Sequence, residues 1–116
     1  MSATTCLFCR IIRRDLPATV VYEDDDVLAF RDIAPKAPTH LLVIPKRHID
    51  SLQTLDGDGS GVMAPLFACV VRLAREAGVA HAGYRVVVNH GADGGQTVSH
   101  LHLHLLGGRP MTWPPG

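Results

Sequence analysis

Hydrophobic residues along the chain fall into short runs of two kinds, separated by turn-forming residues. Cys6 to Arg14 places Leu7, Ile11 and Ile12 at helical spacing, and Asp15-Leu16-Pro17 follows, so a short helix ends there because proline disfavours helix at the residue before it. Val20 to Glu23 and Val27 to Asp32 flank an acidic turn and predict a hairpin. Leu41 to Ile44, bounded by Pro38 and Pro45, reads as a strand buried on both faces, and Tyr84 to Asn89 as a further, β-branched strand. Val62 to Ala77 sets Val62, Leu66, Cys69, Val70, Leu73 and Ala77 on one stripe, with Gly78 as terminator, which predicts the principal helix. Pro65 would break a helical hydrogen bond, so regular helix is expected to begin only near it. The sum is an α+β domain: an antiparallel sheet of about five strands, one long and one short helix, both helices packed on one side.

The last strand changes the picture. In His100-Leu101-His102-Leu103-His104-Leu105-Leu106 histidine alternates with leucine, and a period of two sends alternate side chains to opposite faces. The leucines then enter the layer under the long helix, and three imidazoles line the other face about 6.6 Å apart. Such rings discourage one another from charging, so at least one should be neutral and nucleophilic at pH 7. A tolerant polar face and a three-histidine metal site are the rival readings. Adjacent side chains on a strand diverge, which disfavours the metal. The preceding loop, Asn89 to Ser99, holds three glycines that let backbone approach a ligand closely, as phosphate oxygens require.

Composition narrows the partners. With 116 residues the chain fits a single domain, 1–116. Eleven basic side chains balance eleven acidic ones, so no net field exists to hold a nucleic acid or an anionic membrane, and a small ligand suits the chain better. Met1 to Thr5 is short and polar, no apolar run reaches membrane-spanning length, and the cytoplasm is the expected location.

Histidine at positions 100, 102 and 104 followed by two apolar residues fits the histidine triad motif at every position. Cys6 to Pro17, FRDIAPKAPTHLLVIPKRHI from Phe30 to Ile49, and Val87 to Gly116 with its tryptophan-containing tail also resemble the nucleotide-binding branch of the histidine triad (HIT) family. The resemblance implies a HIT-like fold, a homodimer whose two sheets join, and hydrolysis of purine nucleoside 5′-phosphoramidates such as adenosine 5′-monophosphoramidate. By the same resemblance His102 attacks the α-phosphorus, expels the amine and forms a nucleotidyl-histidine that water hydrolyses. It makes His40 the group that orients the nucleophile and favours its reactive tautomer, and His104 a donor to the phosphoryl oxygens. Thr97, where close relatives carry serine, stands at the leaving-group contact. Asn89 and Gly95 are implied to contact phosphate, Gln96 to join the nucleotide-binding set, and Asp32 to bind the ribose. Leu7, Phe8, Ile11, Phe30 and Ile33 are implied to form the slot for the base.

Cys6 and Cys9 supply two soft ligands at zinc-site spacing, and a closed tetrahedral site needs two more. The resemblance to cysteine-bearing family members and to galactose-1-phosphate uridylyltransferases assigns these to His48 and His100, around a structural Zn2+. Cys69 reads as a core residue, and His81 and His90 carry no assigned role. Two other functions stand beside the phosphoramidase: a dinucleoside polyphosphate hydrolase, against which the tail GGRPMTWPPG argues, and a non-catalytic nucleotide-binding or interaction module.

Overall fold

The computed structural model describes residues 5–116, so the reading of Met1 to Ser2, Ala3 and Thr4 lies outside it. The elements are α1 (Leu7–Ile12), β1 (Val20–Glu23), β2 (Val27–Arg31), β3 (Thr39–Pro45), a 3-10 turn (Leu52–Thr54), α2 (Ser60–Glu76), β4 (Tyr84–Val87) and β5 (Leu103–Gly107). The strands form one antiparallel sheet in the order β1-β2-β3-β5-β4. The acidic turn of the first hairpin is held by Asp24, whose Oδ1 accepts from the N–H groups of Asp26 and Val27, both at 2.8 Å.

The two helices lie on opposite faces of this sheet, which corrects the expectation that both pack on one side. Val27, Ala29, Leu41, Val43, Leu103 and Leu105 join Leu66, Val70 and Leu73 of α2 in the larger core. Their neighbours along the strands, Leu28, Phe30, Leu42 and Ile44, join Phe8 and Ile11 of α1 in a second. The alternation of period two thus feeds two apolar layers, because β2 is apolar and buried from Val27 to Phe30 and β3 from Leu41 to Pro45, so these stretches have no solvent face to offer. The smaller layer is the one next to the histidines.

Helix α2 also departs from expectation. It begins at Ser60, with Gly59 in the left-handed region at φ 74°, and continues through Pro65. The carbonyl deprived of a donor by Pro65 belongs to Gly61, which is exposed and close to the helix start, so water can take the place of the missing N–H. Gly78 ends the helix as expected, with φ 76° and the Val79 N–H donating to the Ala74 carbonyl.

The histidine segment pairs only from Leu103 onward. Continuing the β3–β5 register, in which Val43 faces Leu103, would set Leu101 opposite Pro45, which has no N–H to donate. The Leu101 N–H turns to the Ile49 carbonyl instead, at 2.7 Å. His100 and His102 therefore stand before the ladder rather than within it, while Leu101, Leu103 and Leu105 enter the core as the alternation requires. Among the described residues no helix is long and apolar enough to cross a membrane.

Candidate active site and metal-ligand cluster

One end of the sheet carries a cavity of about 380 Å³. Its walls come from α1 (Leu7, Phe8, Ile11), from the end of β2 and the residues after it (Phe30, Asp32, Ile33), and from Thr97, Val98, His102 and His104. Leu16, Pro17, Ala18, Arg31 and Leu42 complete it and were not singled out from the sequence. Leu42 could have been: it follows from alternation on β3, since it shares a face with Phe30, its partner on β2. Ile33 is 97% exposed and forms a rim of the cavity rather than a buried wall.

His102 is only 5% exposed, yet it faces this cavity with Phe8 packed edge-on at 5.1 Å between ring centroids. Its Nδ1 lies 2.7 Å from the carbonyl oxygen of His100. A carbonyl only accepts, so Nδ1 carries the proton and Nε2 keeps its lone pair. Burial lowers the tendency of this ring to charge, against the opposing pull of that carbonyl.

The proton on His104 is fixed by a longer chain. The Lys36 N–H donates to His40 Nδ1 at 3.0 Å, so neutral His40 holds its proton on Nε2. His40 Nε2 lies 2.9 Å from His104 Nδ1 and donates to it, which leaves the His104 proton on Nε2. Both rings are kept neutral: burial lowers His40 despite Asp32, and burial with His102 and His40 nearby pushes His104 down to about 4. The site thus presents one imidazole with a bare nitrogen and, 5.0 Å away between centroids, one with an N–H.

Several expected contacts are rearranged. His40 bonds to His104 and not to His102, whose orientation comes from the His100 carbonyl. Gln96 is a clamp within the glycine-rich loop: its Oε1 accepts from the Gly91 N–H at 3.0 Å, and its Nε2 donates to the carbonyls of Asp50 and Val98 at 2.8 and 3.0 Å. The Gly95 N–H is committed to the Ala92 carbonyl at 3.1 Å. Neither residue, nor Asn89, lies on the cavity wall, which the loop reaches through Thr97 and Val98. Asp32 does line the cavity; its Oδ1 caps the Ala34 N–H at 2.8 Å, and its Oδ2 lies 3.4 Å from His40 Nε2.

Behind the cavity, α1 and two loops bring Cys6, Cys9, His48 and His100 together, with their ligand atoms all within 4.8 Å of one another. Cys9 Sγ is 3.2 Å from His48 Nδ1 and 3.6 Å from His100 Nδ1, and Cys6 Sγ is 3.4 Å from His100 Nδ1. A tetrahedral zinc with bonds of about 2.3 Å to sulfur and about 2.0 Å to nitrogen has S···N edges of roughly 3.5 Å, which these spacings match. The outer nitrogens agree. His48 Nε2 donates to Asp50 Oδ1 at 2.7 Å and His100 Nε2 to the Pro45 carbonyl at 2.8 Å, so both Nδ1 atoms turn lone pairs inward. Burial and the adjacent Cys6 push the Cys9 thiol up to about 11, and burial drives His100 down to about 4. Asp50 and Pro45 were missed in the sequence because their part is played from a neighbouring position. Cys69 sits in the larger core with its thiol raised by burial to about 11, as an inert packing residue. His81 and His90 are exposed.

Asp32, His40 and His104 form a second group of close donor atoms, but it is a poor metal site. The Lys36 N–H occupies the lone pair of His40 Nδ1, so the nitrogen facing the group carries a proton.

Comparison with known proteins agrees with this geometry. The family model described as HIT domain matches residues 13–111. An uncharacterised HIT-like protein of Synechococcus elongatus is 52% identical over 110 residues, which cover 95% of this chain and 96% of that one. A crystal structure of a HIT family hydrolase from Legionella pneumophila superposes with a TM-score of 0.94 at 54% identity, covering 97% of this chain and 100% of that one. A zinc-bound histidine triad family protein from Mycobacterium smegmatis superposes with a TM-score of 0.78 at 35% identity, covering 93% of this chain and 78% of that one.

Proposed function

Since the chain belongs to the HIT domain family, we propose that it is a hydrolase that cleaves the P–N bond of nucleoside 5′-phosphoramidates through a covalent intermediate on His102. The observation that carries this reading is the 2.7 Å hydrogen bond from His102 Nδ1 to the His100 carbonyl, which leaves Nε2 as an oriented nucleophile at an apolar cavity. Attack forms the N–P bond as the P–N bond to the amine breaks, and water then releases the nucleotide and restores the neutral ring. His104, with its proton on Nε2, donates to a phosphoryl oxygen as charge builds there. Thr97 and Asp32 both line the cavity; in this reading the Thr97 hydroxyl serves the departing amine and Asp32 takes the ribose hydroxyls. A purine lies between Leu7, Phe8, Ile11, Phe30 and Ile33, contacts that give area but little hydrogen-bond discrimination. Asn89 and Gly95 are assigned to phosphate in this reading, and Gln96 serves the same set by clamping the loop that carries Thr97.

Cys6, Cys9, His48 and His100 hold a structural zinc in this reading, supported by the spacing of the four side chains and by the zinc-bound relative. Four protein ligands leave no place on the ion for substrate, so its chemistry is to fix α1 against the sheet. The resemblance implies a homodimer whose sheets join; β4 is an edge strand, and its Tyr84 is a large apolar side chain left exposed in the single chain. The expected compartment is the cytoplasm, where the thiols of Cys6 and Cys9 stay reduced.

The test is to offer adenosine phosphoramidate, trap the intermediate by acid quench and locate the modified residue by mass spectrometry. A nucleotidyl group on His102 is the expected result. Turnover of diadenosine tetraphosphate in preference, or nucleotide binding with turnover of neither substrate, would reject the phosphoramidase.

A further inference from the structure

The tautomer of His104 depends on a backbone N–H at Lys36, in an exposed loop between β2 and β3. That loop has a brace from the far end of the chain. Arg109, just after β5, donates from Nε and from Nη2 to the Lys36 carbonyl, both at 3.0 Å, and from Nη1 to the Pro110 carbonyl at 3.1 Å. The adjacent Gly108 lies so close to Pro38 that an added Cβ would come within 2.9 Å of its ring. Lys36 is therefore held at both polar ends, its carbonyl by Arg109 and its N–H by His40.

We propose that Arg109 is a positioning residue for the hydrolase reaction: its two-pronged grip on the Lys36 carbonyl keeps the Lys36 N–H on His40, and so keeps the His104 proton on Nε2. The inference rests on the function proposed above for its effect on turnover, though not for its effect on the rings. With the N–H in place, a proton on His40 Nδ1 would meet a second donor head-on, so only the Nε2–H form fits. Once the loop drifts, that penalty disappears, the Asp32 carboxylate at 3.4 Å is the remaining group that favours a proton on Nε2, and the Nδ1–H form of His40 gains population. A proton on His40 Nδ1 leaves a bare Nε2 facing His104, which then turns its own proton to Nδ1 to meet it. His104 loses its donor toward the cavity. His102 is insulated from this chain, because its proton is set by the His100 carbonyl. Arg109 itself does not line the cavity.

Arg109→Ala and Arg109→Lys test this in the full chain by ¹⁵N NMR of the histidine rings at neutral pH. In the wild type His104 and His40 should both show a protonated Nε2. In Arg109→Ala their nitrogen shifts should move toward a mixture of the two forms while those of His102 stay where they were. Arg109→Lys, which still offers a cationic donor, should restore most of the wild-type pattern. With adenosine phosphoramidate, Arg109→Ala should lower kcat about tenfold with KM within about twofold, less than the roughly hundredfold that a misplacement of an ångström costs. Unchanged His40 and His104 signals, equal movement of all three rings, or an unchanged kcat would each overturn the proposal. If the wild type does not hydrolyse the phosphoramidate, the hydrolase reading fails, and the ring signals still decide what Arg109 does.

Discussion

His100 and His102 are joined by a hydrogen bond of 2.7 Å in which the His102 ring donates to the His100 carbonyl. The same His100 sends its side chain, fully buried, into the cysteine cluster. One residue thus joins the candidate metal ligands with its imidazole and orients the His102 ring with its backbone.

Loss of a metal ligand should therefore be felt first in stability and second in turnover. Protein purified from zinc-replete medium is expected to contain about one zinc per chain by elemental analysis. Cys6→Ser should lower the melting temperature by roughly 10 °C, the equivalent of about 2 kcal/mol in a domain of this size, with a smaller relative loss of kcat measured well below the transition. Wild-type protein without zinc would remove the premise.

His102→Ala removes the atom that makes the bond and little that holds the ground state. Phosphoramidate turnover should drop by at least about 10³-fold, with the dissociation constant for a nucleoside monophosphate nearly unchanged. Steady-state kinetics and calorimetry with the same two proteins would check both halves. A variant that turns over at more than a few per cent of the wild-type rate would show that another group attacks phosphorus.

How much of this was legible before folding differs from residue to residue. Val20 to Glu23 emerged with the expected limits, because a hairpin is written by local turn chemistry. Leucine and histidine in alternation correctly placed Leu101, Leu103 and Leu105 in the core, and Cys6, Cys9, His48 and His100, the candidate metal ligands, lie together as the resemblance implied. What escaped were effects of one segment upon another. Pro45 ends the pairing of the histidine strand from across the sheet, and α1 went to the opposite face because Leu28, Phe30, Leu42 and Ile44 needed a cover. The resemblance put Gln96 in the nucleotide-binding set, and only the fold reveals that its amide also ties the loop together through Gly91, Asp50 and Val98.

The acid limb of the pH–rate profile should lie below the ordinary histidine value. His102 must be uncharged to attack, and burial lowers its pKa from 6.5, so kcat/KM should hold on passing down through pH 6.5 and fall only in more acidic solution. A midpoint at or above 6.5 in the rate profile would contradict the burial argument.

Stability should follow a related course through His104. Its ring is pushed from 6.5 to about 4 in the folded chain, chiefly by burial. Above pH 6.5 both folded and unfolded forms are neutral, and the shift has no effect. As the pH falls through 6.5 the unfolded chain takes up the proton first, so stability declines progressively until about pH 4. Urea midpoints measured across this range should show the decline, and His104→Asn should make it shallower.

Gly94→Ala should damage the loop that carries Thr97 and Val98. An added Cβ would sit 2.3 Å from the His90 carbonyl oxygen and 3.0 Å from its nitrogen, both backbone atoms with no rotamer to escape into. A loss of about 1–3 kcal/mol is expected from chemical denaturation, with a raised KM. Wild-type values for both would mean that the loop adjusts at no cost.

Helix α1 contributes Leu7, Phe8 and Ile11 to the cavity wall proposed to take the base, while its cap, Cys6, and its third residue, Cys9, belong to the candidate ligand cluster. Six residues are too few to stay helical in water unaided. A change of nucleobase taste, whether by drift or by engineering, is thereby channelled to the few wall positions that have slack. Leu7 at 45% exposure and the rim residue Ile33 can be recut for a larger or smaller ring, whereas Phe8, wedged between Phe30 and His102, would take the anchoring of the whole helix with it.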